Sequence, residues 1–170
     1  MAPIQPEITV AAITQSAGRF LVVEERINQR LVFNQPAGHV ERGESLLAAV
    51  VREVREETAW RFEPASLIGV YLWQSPVSGV TTMRFAFSGT VDDHHADQPL
   101  DHGIVGTHWL SRAELKQREQ ALRSPLVLHC IEDYLYGQRK PLDSVAHLDL
   151  DSAPAMQAVA VWGRPRAELP

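Results

Sequence analysis

The sequence predicts an α/β domain, of the α+β type, in which a helix packs on a β-sheet. Two observations support this fold class. Short runs rich in β-branched and aromatic residues, which are typical of strands, recur along the chain between turn-forming residues. Residues 44–58 instead carry an apolar stripe about 100° wide on one helix face, made of Leu47, Val50, Val51 and Val54. A helix of this length cannot bury that stripe alone, so it must pack on a sheet.

The first part of the chain is predicted to form strands. Residues 8–14 and 19–25 are apolar runs separated by a short break that contains a glycine, and this pattern predicts a β-hairpin. A third short apolar run covers residues 31–33. Residues 34–38 predict a loop, because they include a proline, which lacks a backbone N–H, and a glycine, which adopts conformations closed to other residues.

The second part of the chain continues with strands and helices. The predicted elements are strands over residues 67–73, 81–91 and 104–110, an exposed loop over 92–103, and a final helix from about residue 124 to residue 136. Between the last strand and the final helix, Ser111 and Glu114 have the spacing of a capping box, which predicts the start of another helix.

Composition and charge exclude several classes of protein. The chain of 170 residues has the length of one domain, and we expect a single domain over 1–170, with a core over about 6–142 and a tail of uncertain order over 143–170. Sixteen Lys and Arg against 21 Asp and Glu give a net charge of −5, which argues against nucleic-acid binding. No apolar run approaches the ~18 residues of a membrane span. A lone Cys130 and no signal-peptide pattern predict a cytoplasmic protein. For the oligomeric state, a monomer and a homodimer both stay open.

Three glutamates of the predicted helix form an unusual acidic cluster. On a helical wheel, Glu53, Glu56 and Glu57 share a sector of roughly 100° beside the apolar stripe. They lie in the C-terminal half of the helix, where the helix dipole disfavours negative charge, and Glu53 repels Glu57 across one turn. Nearby Arg52 and Arg55 offset part of this charge, and a divalent cation would offset the rest.

The ligand chemistry of the acidic cluster predicts Mg²⁺, or alternatively Mn²⁺. Carboxylate oxygens without cysteine or a clear histidine pair suit hard cations. Protein-bound Mg²⁺ is usually held by a few carboxylates together with substrate phosphates. The cluster therefore predicts phosphate chemistry, in which the metal neutralises the charge of a diphosphate.

The acidic cluster is part of a longer motif that resembles the signature of the Nudix family. In that signature a glycine is followed by five residues and a glutamate, then by seven residues and Arg-Glu-apolar-any-Glu-Glu. The matching residues are Gly38, Glu44, Arg52, Glu53, Val54, Glu56 and Glu57. Further similarity, to the NudJ phosphatase branch of the family, extends over residues 21–25, 34–39, 84–85 and 122–127.

This resemblance implies a Nudix fold, a mixed β-sheet sandwiched between helices, and a set of site residues. The metal ligands that it implies are Glu53, Glu56, Glu57 and a backbone carbonyl around Ala37. Arg52 would orient the glutamates, while Gly38 and Glu44 would brace the loop that precedes the helix.

The resemblance also implies an activity, namely Mg²⁺-dependent hydrolysis of nucleoside di- and triphosphates with release of phosphate. Hydroxymethylpyrimidine diphosphate, the pyrimidine precursor of thiamine, is a further implied substrate. Water deprotonated by one of the glutamates, such as Glu56 or Glu57, or by Asp101 would attack phosphorus. The residues alone indicate only a phosphoanhydride. Two alternatives stay open: another Nudix specificity, for ADP-ribose or dinucleoside polyphosphates, and a non-catalytic ligand-binding module, which the complete set of glutamates disfavours.

One position departs from the Nudix signature. The signature places glycine and then an apolar residue where this chain has Ala59 and Trp60. Glycine would suit a left-handed residue at the end of the helix, so Ala59 either costs about 1 kcal/mol or changes the geometry of the cap.

Three residues outside the motif are candidates for substrate binding. Arg84 is either a surface strand residue or a bidentate phosphate contact. Gln35 either hydrogen-bonds substrate or braces the loop. Trp73 could stack on a base, although an aromatic residue in an apolar strand favours the core.

Acidic, histidine and cysteine residues elsewhere have weaker signals. Asp101 lies just before the last predicted strand and is a candidate for assisting the attacking water. His94 and His95 lack the spacing of metal ligands and predict a plain loop. Cys130 is expected to be a small buried residue of the final helix.

Overall fold

The computed structural model describes residues 3–148, and within them the chain forms eight strands and three α-helices. The strands are β1 (Glu7–Ile13), β2 (Gln15–Ser16), β3 (Arg19–Ile27), β4 (Arg30–Asn34), β5 (Ala37–His39), β6 (Arg61–Gln74), β7 (Thr81–Asp92) and β8 (Ile104–Ser111). The helices are α1 (Leu46–Thr58), α2 (Arg112–Gln117) and α3 (Leu126–Leu135), with 3₁₀ turns at Glu119–Ala121 and Leu142–Ser144. None of the helices in this described part is long and apolar enough to cross a membrane.

The strands form two sheets of four strands each. The first sheet has the order β5-β1-β7-β6, in which β1 and β7 are parallel and the other pairs are antiparallel. In the second sheet β3 is paired with β2, β4 and β8, all antiparallel. The predicted mixture of strands and helices is confirmed, and the strands predicted in the second part of the chain lie within β6, β7 and β8.

The predicted hairpin between residues 8–14 and 19–25 is wrong. Strand β1 pairs with β5 and β7, whereas β3 belongs to the other sheet, and only Gln15–Ser16 turns back onto β3. The reason is visible in the burial of β1, whose last five residues are all buried. A strand that is covered on both faces reads as a continuous apolar run and lies inside a mixed sheet rather than in a two-stranded hairpin.

The first sheet is covered on both faces, so two apolar clusters flank it. Adjacent residues of β7, Ala86 and Phe87, belong to different clusters, as do Leu67 and Ile68 of β6. Successive strand residues point to opposite faces, and this alternation therefore places one cluster on each side of the sheet. The expected sandwich of sheet and helices is confirmed, with α1 on one side and α3 together with the second sheet on the other.

Helix α1 packs its predicted stripe on the first sheet. Val50 and Val54 are fully buried, and Leu47 and Val51 are partly buried against the same cluster. The helix begins two residues later than predicted, because the Ser45 hydroxyl accepts a hydrogen bond from the Ala48 amide at 3.1 Å and acts as the N-cap.

The C-terminal part of the described chain follows the predictions. Ser111 and Glu114 form the predicted capping box at the start of α2. The final helix begins at Leu126, and Cys130 is fully buried in the cluster beneath it. Of the predicted tail, residues 149–170 lie outside the described residues.

Candidate active site

Strand β5 and helix α1 place the acidic cluster beside Gly38, a residue that has no side chain. The carboxylate of Glu53 lies directly against the Cα of Gly38, and a Cβ at that position would overlap the carboxylate atoms. Glycine at position 38 is therefore a requirement of close approach between strand and helix, since any larger residue would displace Glu53.

Arg52 is the hydrogen-bonding hub of this region. Its guanidinium donates two bonds to the Glu44 carboxylate, at 3.1 and 2.7 Å, and one to the carbonyl of His39 at 3.0 Å. Through Nη1 it also donates to Glu53 and Glu56, both at 2.9 Å. The arginine thus ties the loop before α1 to two glutamates of the helix, and its hydrogen bonds hold the pKa of Glu44 below the ordinary value.

Glu57 is one of the two buried carboxyls of the acidic cluster, the other being Glu53. The Oε2 atom of Glu57 accepts a hydrogen bond from the Ala37 amide at 2.8 Å. Burial raises the pKa of Glu57 to about 9, this hydrogen bond opposes the rise, and the charges of Glu25, Glu53 and Asp101 add to it. Burial also raises the pKa of Glu53. A site that disfavours negative charge in this way favours a bound cation.

Asp101 is brought to the same place by the chain that follows β7. Its amide donates to the carbonyl of Glu56 at 2.9 Å, which fixes the segment against the end of α1. Together with the three glutamates and Arg52 it lines a cavity of about 520 Å³, to which β5 contributes Ala37, Gly38 and His39. The fold therefore brings a fourth carboxylate beside the cluster.

The donor chemistry of this cavity fits a hard dication, although its side chains are engaged with one another. Between residues 3 and 148 no three His, Cys, Asp or Glu side chains converge as a ready metal cluster. Arg52 spans Glu53 and Glu56, and the Ala37 amide holds Glu57. A dication bound here would compete with Arg52 for the carboxylate oxygens, and the buried, mutually repelling carboxylates supply the driving force for that exchange.

A second, larger cavity of about 540 Å³ adjoins the first. The same residues of β5, Ala37, Gly38 and His39, line both cavities. Trp73 is partly buried and lies on the wall of the larger cavity outside both apolar clusters, so the preference for a core position is wrong for this residue. The last five residues of β6 alternate between exposed and partly buried, so this end of the strand lies outside the core.

Arg84 and Gln35 are buried next to each other beneath the larger cavity. Arg84 is only 6% exposed, lines the cavity and donates through Nη1 to the side-chain oxygen Oε1 of Gln35 at 3.3 Å. The Gln35 amide nitrogen in turn donates to the Val127 carbonyl at 2.7 Å. Both polar atoms of the Gln35 side chain thus bond within the protein, as expected for a residue that braces the loop. Arg84 is buried and is therefore not a surface residue.

Sequence reasoning missed several of the polar residues that line the larger cavity. Glu25 and Asn34 line it, and burial raises the pKa of Glu25. The available signal was weak, since Glu25 follows an apolar strand and Asn34 precedes the motif, positions that also suit surface turns. The histidine pair is a loop, as predicted: His94 stacks on Trp60, with 4.5 Å between ring centroids, and His95 lies 3.1 Å from Asp93.

The comparison with family models gives the class of this protein, a phosphate-directed hydrolase. The NUDIX domain model matches residues 3–129, and the chain belongs to the Nudix family. It is a Nudix phosphohydrolase, and the hydrolases of this family generally use divalent metals.

Comparison with individual proteins shows which branch of the Nudix family the chain is similar to. The chain is 40% identical to phosphatase NudJ of Escherichia coli K12 over 141 residues, which cover 83% of this chain and 91% of that protein. The same figures hold for phosphatase NudJ of Shigella flexneri. A solved NUDIX hydrolase from Nitrosomonas europaea is 43% identical, with a TM-score of 0.83 and coverage of 85% of this chain and 98% of that one. The predicted family and branch are confirmed.

Proposed function

We propose that the protein hydrolyses a phosphoanhydride bond of nucleoside di- and triphosphates and related diphosphates, in the presence of Mg²⁺, with release of phosphate. The observation that carries this proposal is the pair of adjoining cavities with a common wall at β5. One cavity is lined with carboxylates suited to a dication and phosphates, and the other has the size and the mixed polar and aromatic lining of a site for the rest of the substrate. The identity to phosphatase NudJ supports the same class of reaction.

The carboxylates have distinct roles in this proposal. Glu53, Glu56 and Glu57 would hold the metal, with the backbone carbonyl of Ala37 as a further ligand. A bound Mg²⁺, for which Mn²⁺ can substitute, supplies positive charge to the phosphates and lowers the pKa of water. Arg52, held by Glu44, orients Glu53 and Glu56, because one guanidinium bonds to all three carboxylates.

The proton of the attacking water needs an acceptor near the metal-binding glutamates. Glu56, Glu57 and Asp101 line the same cavity and are the candidates. In-line attack by water on one phosphorus breaks the bond between that phosphorus and the bridging oxygen. The other phosphate group leaves with the bridging oxygen, and cationic groups around the site balance its charge. Asp101→Asn alters the pH profile of kcat if Asp101 is this acceptor, whereas it leaves the profile unchanged if a glutamate is.

The substrate panel that tests the proposal contains nucleoside di- and triphosphates, hydroxymethylpyrimidine diphosphate, ADP-ribose and a dinucleoside polyphosphate. Each is incubated with Mg²⁺ and scored separately for orthophosphate and pyrophosphate. Turnover of the first two groups with orthophosphate as product supports the proposal. Turnover confined to ADP-ribose or dinucleotides contradicts it in favour of another Nudix specificity, and ligand binding without any turnover indicates a non-catalytic module.

Two substitutions tie the activity to the site. Glu56→Gln and Glu57→Gln should each abolish Mg²⁺-dependent turnover while the far-UV circular dichroism spectrum stays that of the folded protein. Glu63→Gln is the matched control, because Glu63 is an exposed residue of β6 outside both cavities. Retained activity in both site variants would refute the assignment.

A further inference from the structure

The larger cavity concentrates polar atoms that have no hydrogen-bond partner. In the part of the chain that the structure describes, five buried side-chain atoms lack a partner, and all five belong to residues that line this cavity. They are Thr9 Oγ1, Glu25 Oε1, Asn34 Oδ1, Arg84 Nε and Ser124 Oγ. Buried polar groups are nearly always paired, so five such atoms around one cavity indicate partners that a ligand provides.

These residues are built into the walls of the cavity. Thr9, Asn34, Arg84 and Ser124 are each more than nine-tenths buried. Thr9 of β1 and Arg84 of β7 are direct register partners in the first sheet, and Asn34 ends β4 of the second sheet. A hydrogen bond also links Asn34 to the Glu25 carboxyl, which fixes these two side chains relative to each other. The arrangement is therefore rigid and lies between the two sheets.

The chemistry of the unpartnered atoms is biased toward accepting hydrogen bonds. Asn34 Oδ1 accepts only, the carboxylate oxygen of Glu25 accepts, and Arg84 Nε donates. The hydroxyls of Thr9 and Ser124 can do either. A ligand that fits this set offers a donor with two hydrogens close to an acceptor, and an amino group next to a ring nitrogen does so. Trp73 on the cavity wall provides a flat surface for such a ring.

We propose that the larger cavity selects a heteroaromatic ring with an exocyclic amino group. Asn34 and Glu25 accept hydrogen bonds from this amino group, and Arg84 donates a hydrogen bond to the neighbouring acceptor atom of the ring. This inference rests on the proposed function, because the common β5 wall then places the phosphates of the same substrate beside the glutamates. Cytosine has this donor and acceptor pattern, whereas uracil has the opposite one at the same two positions. Amino-bearing rings are therefore substrates of choice, and oxo-pyrimidines are disfavoured.

The decisive experiment measures binding rather than turnover. The α,β-methylene analogues of CDP and UDP, whose bridging carbon resists hydrolysis, are titrated into the Mg²⁺-loaded full chain by calorimetry. We expect the cytosine analogue to bind about tenfold more tightly, which is the effect of one correctly paired set of base-edge hydrogen bonds. Equal affinities, tighter binding of the uracil analogue, or absence of binding by both would overturn the proposal.

Variants of the unpartnered hydroxyls separate ligand binding from structural support. Thr9→Val and Ser124→Ala remove buried hydroxyls that have no hydrogen-bond partner among residues 3–148, so the melting temperature should stay the same or rise. Affinity for the cytosine analogue should nevertheless fall several-fold in at least one of them. A drop in melting temperature with unchanged affinity would identify these hydroxyls as structural and contradict their role in binding.

A pair of neighbouring glutamates provides the control for the amino-group contact. Glu25→Gln should reduce the preference for cytosine over uracil toward unity, and Asn34→Leu should do the same where circular dichroism shows a folded protein. Glu24→Gln makes the same chemical change on the next residue of β3, whose carboxylate instead bonds to His108 at 3.0 Å, and should keep the preference. Unchanged preference in Glu25→Gln and in the folded Asn34→Leu variant would refute the assignment.

The two proposals fail in different ways. If the substrate panel is hydrolysed but cytosine and uracil analogues bind alike, the ring preference is wrong and the phosphohydrolase proposal stands. If no phosphoanhydride is hydrolysed but the analogues bind with the expected preference, the proposed reaction is wrong and the ring site stands.

Discussion

Gly38 shows how one missing side chain determines the position of a predicted ligand. Because the Glu53 carboxylate occupies the space of a Cβ at this position, Gly38→Ala must displace Glu53 from β5. We expect kcat/KM to fall by about 10²-fold, the cost typical of misplacing a catalytic group by roughly 1 Å. Gly106→Ala in β8 is the control, since its Cβ would meet only an ordinary contact with His108 and activity should be unchanged. Equal activity of the two variants would contradict the positioning role.

The raised pKa of Glu57 predicts how the stability of the metal-free protein depends on pH. Its pKa is about 9 in the folded protein, against an ordinary value near 4.5. Between these values the folded state binds more protons than the unfolded state, so the free energy of unfolding falls as pH rises, by up to about 1.4 kcal/mol per pH unit for one group. Urea unfolding in EDTA from pH 5 to pH 9 measures this slope.

Substitution of Glu57 tests whether this residue causes the pH dependence of the free energy of unfolding. Glu57→Gln should flatten it, because the amide does not ionise and keeps the acceptor for the Ala37 amide. Glu63→Gln, at an exposed position of β6, should leave the slope as in the wild type. A wild-type stability that increases over this pH interval would show that Glu57 is not buried as a neutral acid.

The residues that could be predicted from sequence are those with a fixed spacing. Glu53, Glu56 and Glu57 follow from helix geometry and lie at one cavity as expected. Glu25 and Asn34 could not be predicted, since they come from two different strands of the second sheet, and their side chains meet only when β3 and β4 pair. Trp73 was misjudged because an apolar pattern does not reveal which end of a strand lies outside the core.

At the scale of the element, the backbone at the end of α1 is strained. The sequence indicates this strain, because it has alanine where the family signature has glycine. Ala59 has a φ of 59°, a left-handed conformation that disfavours residues with a Cβ. Its amide nevertheless makes the capping hydrogen bond to the Arg55 carbonyl at 3.0 Å. The departure from the family signature is therefore a cost in backbone energy and leaves the geometry of the cap intact.

Ala59→Gly should therefore stabilise the protein by about 0.5–1 kcal/mol, since glycine adopts this conformation without steric penalty. The matched change Ala48→Gly, at an exposed position inside α1, should destabilise it by a similar amount, because glycine is a poor helix former. Urea midpoints of the two variants then move in opposite directions. A destabilised Ala59→Gly would mean that the buried methyl group contributes more than the strain costs.

The helices and strands differ in how well the pattern of their sequence predicts their position and partners. The period of α1 and the capping box of α2 are local, and both are found where the sequence placed them. The partners of β1 are not local, because a strand buried on both faces carries no alternation that would identify its neighbours. This is why the strands themselves could be predicted while the hairpin was wrong.

At the scale of the whole molecule, the two sheets and α1 meet at β5, and the site depends on all three. Strand β5 is short and contributes backbone to both cavities, so it couples the acidic cluster to the ring site. The chain of contacts runs from Arg84 through Gln35 to α3 on one side and from Ala37 to Glu57 on the other. Sequence spacing predicted the acidic half of this arrangement and only fragments of the other half.

Metal binding should therefore be measurable as stabilisation of the whole fold. A ligand that binds only the folded state stabilises it by RT ln(1 + [L]/Kd), about 2.7 kcal/mol at a hundredfold excess over Kd. Because the carboxylates must lose their protons to bind Mg²⁺, the rise in melting temperature on adding Mg²⁺ should increase from pH 6 to pH 9. Glu53→Gln should abolish most of this rise, whereas Glu63→Gln should retain it, and added NaCl at equal ionic strength controls for screening. A shift that is independent of pH, or that survives in Glu53→Gln, would place the dication elsewhere on the surface.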